Sequence, residues 1–309
     1  MKQILIRFLT QTVRFYIRFW PSQFGKNFLW ERVIEPYLGW REQCFKARTR
    51  FGVTLLVRLP DLVQSYLFFF GVWEPAITEY VRKNLRQGDI FIDVGANVGY
   101  FTTLASKLVG KGGHVFAIEA SPTIFQKLQK NIAFNNKFKN VQAFNVAAYD
   151  KRRLIPFFIG NKANLGASTS FESKAMLRKF SLETKVEALP LAEIVGAGSI
   201  INARLIKIDV EGAEWFVLSG ISKLLATCSE QTEFLVEISP HAVRKQGNSV
   251  EDFLNIFDEA GFQAYFIENN YSPEFYWSSE IPKNVRNLES PIIETTDVLF
   301  SRRKLRAVS

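Results

Sequence analysis

The residues of this chain best suited to chemistry are a set of carboxylates, one histidine and a glycine corner. The corner is Gly95-Ala-Asn97-Val-Gly99, with Asp93 just before it. Glu119 follows about 20 residues later, where an acid that accepts ribose hydroxyls is expected in nucleotide-binding α/β sheets. Further on come Asp209-Val-Glu211-Gly-Ala-Glu214, then Glu237 and His241. A glycine turn that opens a helix offers backbone N–H groups to a ligand. Carboxylates and an imidazole can take the proton of a weakly acidic hydroxyl, or hold a cationic or hydroxyl-rich ligand. Several acids on one edge of a buried sheet are costly unless something meets them.

The elements around these residues place them together. Ile90, Phe91, Ile92 and Val94 form an apolar run into the corner, and Val98, Phe101, Leu104, Ala105 and Leu108 then fall at helical spacing. His114 to Ile118 reads as a second strand and Pro122 to Phe134 as a helix with Ser121 at its N-cap. Val141 to Val146, Leu205 to Ile208, Phe234 to Ile238, Phe262 to Ile267 and Asp297 to Ser301 read as further strands. Helices run from the Asp209 motif to Leu225 and from Ser249 to Ala260. Residues 149–203 form a long connection with strand pieces at 154–159 and 185–189. Strands alternating with helices predict an α/β, Rossmann-like fold, a seven-stranded, mostly parallel sheet with helices on both faces. Ligands of such sheets lie beyond the carboxyl ends of the strands. Those ends collect Asp93, Glu119, Ala147 to Asp150, Asp209, Glu211, Glu237 and His241.

The corner lacks the Gly-x-Gly-x-x-Gly spacing that lets a backbone approach a pyrophosphate. A ligand without one fits better, and S-adenosylmethionine, with an amino-acid end for the turn and a ribose for Glu119, meets that condition. Phe91-Ile-Asp-Val-Gly-Ala-Asn-Val-Gly99, together with Leu205-Ile-Lys-Ile-Asp-Val-Glu-Gly-Ala-Glu214 and Leu218-Ser-Gly220, strongly resembles the FkbM family of S-adenosylmethionine-dependent methyltransferases. Val186-Glu-Ala-Leu-Pro-Leu191 resembles the strand-and-turn segment that precedes the second motif in that family. The resemblance covers roughly residues 50–301. It implies the class I methyltransferase fold and methyl transfer to hydroxyls of small molecules such as polyketides and sugars. Carried over by position, Asp93, Gly95, Asn97 and Gly99 would line the methionine end. Glu119, with Ala120 and Ser121 beside it, would take the ribose, and Ala147 and Ala148 would edge the adenine. Amino-methylating enzymes of this fold usually carry an Asp- or Asn-Pro-Pro-aromatic sequence where this chain has Asp209-Val-Glu-Gly, so an exocyclic base nitrogen is a poor acceptor.

Methyl transfer from a sulfonium is an in-line displacement by an already activated donor. The protein must chiefly align an oxygen and remove its proton. The candidate catalytic residues are His241, Asp209 and Glu211. An imidazole is the better base by residue type, because it is largely neutral near pH 7. Structural roles compete: Glu211 and Glu214 would also favour a helix N-terminus, and His241 would also serve as an ordinary loop residue. Lys207, on a buried strand, needs a carboxylate partner. Asp209, Glu211 and Glu237 could hold a divalent cation through oxygens, but carboxylates alone do not support one, and no metal is assigned. The stretch from Asn269 to Pro291 carries Tyr271, Phe275, Tyr276 and Trp277 and is expected to hang over the same edge as a lid. Its aromatics could equally fill a satellite core. Tyr271, Trp277 and Asn164 are the candidate acceptor-contacting residues, with Ser168 to Ser170 nearby.

The formal charge of +9 is concentrated at the two ends. Residues 1–52 hold ten Lys and Arg against Glu31, Glu35 and Glu42, and Arg302, Arg303, Lys304 and Arg306 add four more, leaving the middle slightly acidic. Met1 to Trp20 reads as an amphipathic helix. Gln3, Arg7, Thr10, Gln11, Arg14 and Arg18 lie on a narrow face, with aliphatic and aromatic residues on the rest. That pattern suits peripheral contact with an anionic membrane surface. The competing arrangement packs the helix on the domain with its arginines in water. Residues 1–50 are therefore drawn as a basic helical extension, with a small β element following it, and 51–309 as the catalytic domain. Two distant cysteines form no disulfide framework and suggest a reducing compartment. The expected setting is cytoplasmic, on the inner face of a membrane if the helix binds one. The expected partner is a small-molecule or glycan acceptor. Basicity would also suit a nucleic-acid methyltransferase, but the charge lies in one helix and a tail with no nucleic-acid module, so none is expected. The remaining alternative is a membrane-associated binding protein that has kept the fold and lost catalysis.

Overall fold

The chain begins with a helix whose faces are reversed from the usual arrangement. In α1 (Lys2–Phe19) the arginines point into the protein. Arg7 donates to the Cys44 carbonyl at 3.2 Å, Arg14 to that of Phe68 at 2.9 Å and Arg18 to that of Arg48 at 2.5 Å. Arg7 and Arg14 also lie over the rings of Phe45 and Phe68. A guanidinium can satisfy a buried carbonyl and stack on an aromatic face at once, so it tolerates this position. Thr10, Val13 and Ile17 are buried on the same side, while Ile4, Leu5, Phe8, Phe15 and Phe19 face solvent. The helix is thus packed on the domain with Arg14 and Arg18 half-buried against it and only Arg7 left exposed. The structure described here is a computed structural model, and it covers residues 2–135, 137–277, 285–288 and 291–305.

After α2 (Lys26–Leu29) and a π-helical segment, Trp30–Leu38, strands β1 (Gln43–Arg48) and β2 (Thr54–Leu59) form an antiparallel hairpin. The boundary expected between residues 50 and 51 falls in the turn of this hairpin. Helix α3 (Leu62–Phe69) is buried almost throughout, and α4 (Pro75–Asn84) follows, with Glu74 in front of it.

From Ile90 onward the chain alternates strand and helix. β3 (Ile90–Val94), α5 (Tyr100–Val109), β4 (His114–Ile118), α6 (Pro122–Asn135) and β5 (Val141–Phe144) make the first run. β6 (Ala147–Tyr149), β7 (Arg153–Ile159), α7 (Glu172–Arg178) and β8 (Ser181–Pro190) occupy the long connection. α8 (Leu191–Val195), α9 (Ala197–Ile201), β9 (Leu205–Ile208), α10 (Glu214–Leu225), β10 (Glu233–Ile238), α11 (Pro240–Lys245) and α12 (Val250–Glu259) come next. β11 (Gln263–Ile267), α13 (Pro273–Trp277), β12 (Val285–Asn287) and β13 (Thr296–Ser301) complete the described chain.

The main sheet has the order β12-β11-β13-β10-β9-β3-β4-β5. β5, β4, β3, β9 and β10 are parallel, and β13 is antiparallel to β10 and β11. The parallel strands read as continuous apolar runs because helices cover both faces. One core joins the N-terminal layer to one face, and a second lies between the other face and α8 to α12.

Two expectations change. The sheet has eight strands among the described residues, because β12 adds a short antiparallel edge to β11. The strand expected through Val146 ends at Phe144. Ala147 to Tyr149 instead joins β8 and β7 in a separate three-stranded sheet.

Candidate active site

The strand order reverses at β3 and β9, and their carboxyl ends open into a cavity of about 600 Å³. Ligand pockets typically span about 300–1,000 Å³, and the topological switch point is where α/β sheets bind them.

Gly95 must be glycine here. It has φ 88°, and a Cβ would stand 1.8 Å from the Asp209 carbonyl oxygen, where β3 and β9 converge. Asn97 follows at φ 50°, and its N–H donates to Glu119 Oε2 at 2.9 Å. The Ser121 N–H donates to Glu119 Oε1 at 2.9 Å. The β4 carboxylate therefore props up the corner from behind while still lining the cavity. Burial pushes the Glu119 carboxyl up to about 7, against the pull of these two N–H donors. Asp93 is buried, accepts from the Thr102 hydroxyl at 2.6 Å and is raised by burial.

Asp93, Gly95, Asn97, Glu119, Ala120, Ala147 and Ala148 line one half of the cavity. Gly99 and Ser121 do not. Gly99 starts α5 and packs against Leu128, where a Cβ would come within 2.6 Å. Ser121 turns its hydroxyl to Glu183 at 2.7 Å and caps α6 through the Ile124 N–H.

The other half is acidic at its floor and basic at its mouth. Lys207, buried on β9, donates to Asp209 Oδ2 at 2.6 Å, so the lysine has the carboxylate partner its position requires. Burial by itself would lower Lys207; Asp209, Glu74 and Asp93 overcome it and raise the ammonium above its ordinary value. Glu211 has φ 58° and is held by Lys174 at 2.7 Å. Asp209 and Glu211 are therefore both held in ion pairs, and burial raises the Glu211 carboxyl in spite of Lys174. Glu214 accepts from the N–H groups of Val210 and Gly212 at 3.0 Å, building the turn that carries them, and is pushed up to about 7 by burial. Glu237 lines the floor and is raised by burial and by Asp209 and Glu211 beside it. His241, in the first turn of α11, stands at the exposed mouth with Lys174, Arg178 and Lys245.

Asp209, Glu214 and Glu237 each bring an oxygen within 4.8 Å of the others. This differs from the Asp209, Glu211 and Glu237 set considered from the sequence, because Lys174 draws Glu211 away. Part of the cluster's charge is already met by Lys207.

Glu74 is the residue that sequence reasoning missed. It precedes Pro75, where an extended backbone is the norm, yet it adopts φ 43° and ψ 73°. It is 3% exposed, lines the cavity, accepts from the Tyr271 hydroxyl at 3.0 Å, and its Oε2 has no partner among the described residues. Burial pushes it up to about 8. Glu74, Asn97 and Glu211 are three of the five non-glycine residues at positive φ among those described, and all three line this cavity. Strain gathered in this way marks functional sites.

Tyr271 and Asn164 line the cavity as expected, and so do Ser168 and Ser170. Trp277 does not. It packs against Phe70 and Trp30, with centroid distances of 5.7 and 6.4 Å, and Tyr276 is buried beside it. The aromatics of α13 thus fill a core, while Tyr271 alone of the four reaches the cavity. Residues 278–284 and 289–290 of the expected lid lie outside the described residues.

A family model described as the methyltransferase FkbM domain matches residues 93–264. The chain belongs to the FkbM methyltransferase family. It is an S-adenosylmethionine-dependent methyltransferase, and the FkbM stretch takes in the glycine corner, Glu119, Asp209 to Glu214 and His241 while leaving Glu74 and Tyr271 outside. Over 208 residues it is 24% identical to the hexuronic acid methyltransferase AglP of Haloferax volcanii, with 65% of this chain and 75% of that one covered. It is 26% identical over 168 residues to the methyltransferase sdnD of Sordaria araneosa and 28% over 166 residues to the 31-O-demethyl-FK506 methyltransferase FkbM of Streptomyces tacrolimicus. These matches cover 47% and 46% of this chain and 64% of each relative.

Proposed function

We propose that this FkbM-family enzyme methylates a hydroxyl of a saccharide or a similarly hydroxyl-rich metabolite. The observation that carries this reading is the acidic floor opposite the glycine corner, above all the unpartnered Oε2 of buried Glu74. A buried carboxyl oxygen without a partner calls for a ligand that hydrogen-bonds to it, and a sugar hydroxyl, which both donates and accepts, does so whether the carboxyl is ionised or protonated. The names of two relatives, for a hexuronic acid and for a 31-O-demethyl compound, support an oxygen acceptor.

S-adenosylmethionine supplies an activated methyl group when bound. The residues present fit it: an open glycine corner, a carboxylate on β4 with lone pairs left after two N–H bonds, and two alanines that leave room for a flat ring. In this assignment Asp93 and the corner from Gly95 to Asn97 hold the amino-acid end, Glu119 accepts the ribose hydroxyls, and Ala147 and Ala148 flank the base. Asp209 and Glu211, fixed by Lys207 and Lys174, orient the acceptor hydroxyl. His241 takes its proton at the mouth.

Two measurements test this. Radiolabelled methyl transfer should appear in a panel of neutral and acidic sugars, and His241→Ala should lower kcat by roughly 10²–10⁴-fold with donor affinity unchanged. A panel without turnover, or full activity in the variant, overturns the acceptor or the base respectively. Glu119→Ala should weaken binding of S-adenosylhomocysteine by roughly 10–100-fold, the scale of hydrogen bonds to a charged group. Because only the ionised carboxylate accepts from both ribose hydroxyls, wild-type affinity should rise as pH rises through about 7. Unchanged affinity in Glu119→Ala by calorimetry would remove the ribose assignment.

A further inference from the structure

The outward face of the N-terminal layer has no part in the catalytic site. Phe8, Phe15, Phe19 and Trp20 run along α1, and Phe24 and Phe28 continue the surface; these six are between 52% and 85% exposed. Isolated apolar residues on a surface are ordinary, but a continuous aromatic stripe marks a contact surface. Its orientation is fixed, because Arg7, Arg14 and Arg18 anchor the opposite side of the helix to three main-chain carbonyls.

We propose that this face seats the protein on a lipid bilayer that carries anionic headgroups. Aromatic and aliphatic side chains around a helix lying in the surface plane match the boundary between headgroups and acyl chains. Charge selects the occupant. Residues 1–52 carry a net +7, and Arg32 and Arg41 remain exposed, whereas Lys46 lies over the Phe134 ring of α6. A second copy of this chain would bring like charge against like, whereas an anionic surface complements it. No helix among the described residues is long and apolar enough to cross a membrane, so the contact is with the surface. The layer also connects to the cavity wall. Trp30 stacks on Phe70 at 4.9 Å, and the Tyr66 hydroxyl donates to the Tyr271 carbonyl at 2.7 Å. The docking proposal itself does not depend on which acceptor is used.

The test is flotation of the full chain with vesicles of phosphatidylcholine alone and of phosphatidylcholine with phosphatidylglycerol. The wild type should float with the anionic vesicles, more weakly at high salt and with the neutral ones. A Phe8→Ser, Phe15→Ser, Phe19→Ser variant should lose roughly tenfold or more in vesicle affinity at an unchanged melting temperature, since all three side chains are exposed. Removing the whole helix is a poorer test, because Val13 and Ile17 belong to the core. Wild-type protein that stays with the unbound fraction overturns the proposal, as does a triple variant that floats equally well. Concentration-dependent dimerisation without vesicle binding, abolished in the triple variant, would also overturn it and assign the face to a second copy.

Discussion

Lys207→Met is expected to destabilise the protein by about 3–5 kcal/mol near neutral pH, the cost of leaving buried carboxylates without their cation. Lys207 is the counter-charge for Asp209, Glu74 and Asp93, which come from three elements of the fold. The loss should depend on pH with a definite sign. Glu74 stands at about 8 against an ordinary 4.5. Between those values the native state keeps a proton that the unfolded chain has released, so this group's contribution to stability is full below about 4.5 and falls as pH rises through about 8. Removing the lysine strengthens that trend, because ionised carboxylates then repel one another unopposed. Urea unfolding should therefore show a small gap between variant and wild type at pH 5 and a large one at pH 8. A gap that is absent, or constant with pH, would mean that the lysine is not the counter-charge of the floor.

Gly95→Ala is the second large effect. Two costs combine at this position, a left-handed backbone and a Cβ within 1.8 Å of a neighbouring strand's carbonyl. Gly88 separates them, because it has φ 92° and open space around its missing Cβ. Gly88→Ala should cost only the backbone term, about 1–2 kcal/mol. Gly95→Ala must also part β3 from β9, and should cost more than about 4 kcal/mol, a loss seen only where packing or backbone is directly violated. Thermal unfolding compares the two, and equal losses would show that the strands yield easily at the corner.

The part of the cavity proposed for the donor was legible in the sequence because its signals are local. Buried parallel strands appear as unbroken apolar runs. The corner and Glu119 follow at spacings set by one strand, one helix and the next strand. The acceptor half depends on contacts between residues far apart in the chain. Glu74 before Pro75 reads as an ordinary helix start, and nothing nearby shows that Tyr271, 197 residues later, will bond to it. Trp277 fails for the same reason, since an aromatic segment carries no label for core or cavity.

The first helix shows a different limit. Its periodicity groups the arginines on one face, but Val13 and Ile17, counted with the apolar face, are buried beside them, and the pattern does not tell which side meets the protein. The usual rule puts the apolar face inside. Here carbonyls and aromatic rings at Cys44, Phe45, Arg48 and Phe68 give the arginines better partners than water. β1, with the sequence Gln-Cys-Phe-Lys-Ala-Arg, was missed because only Phe45 and Ala47 face inward and the rest is polar.

The cavity walls come from two parts of the chain, the stretch matched by the family and the segments beside it. The glycine corner, Glu119 and Asp209 lie within the stretch shared with the family, whereas Leu62, Trp73, Glu74, Tyr271 and Thr295 come from the segments on either side of it. Under the proposed division of labour, changes in those flanks can reshape part of the acceptor's chamber, while Asp209, Glu211 and His241 stay within the shared stretch.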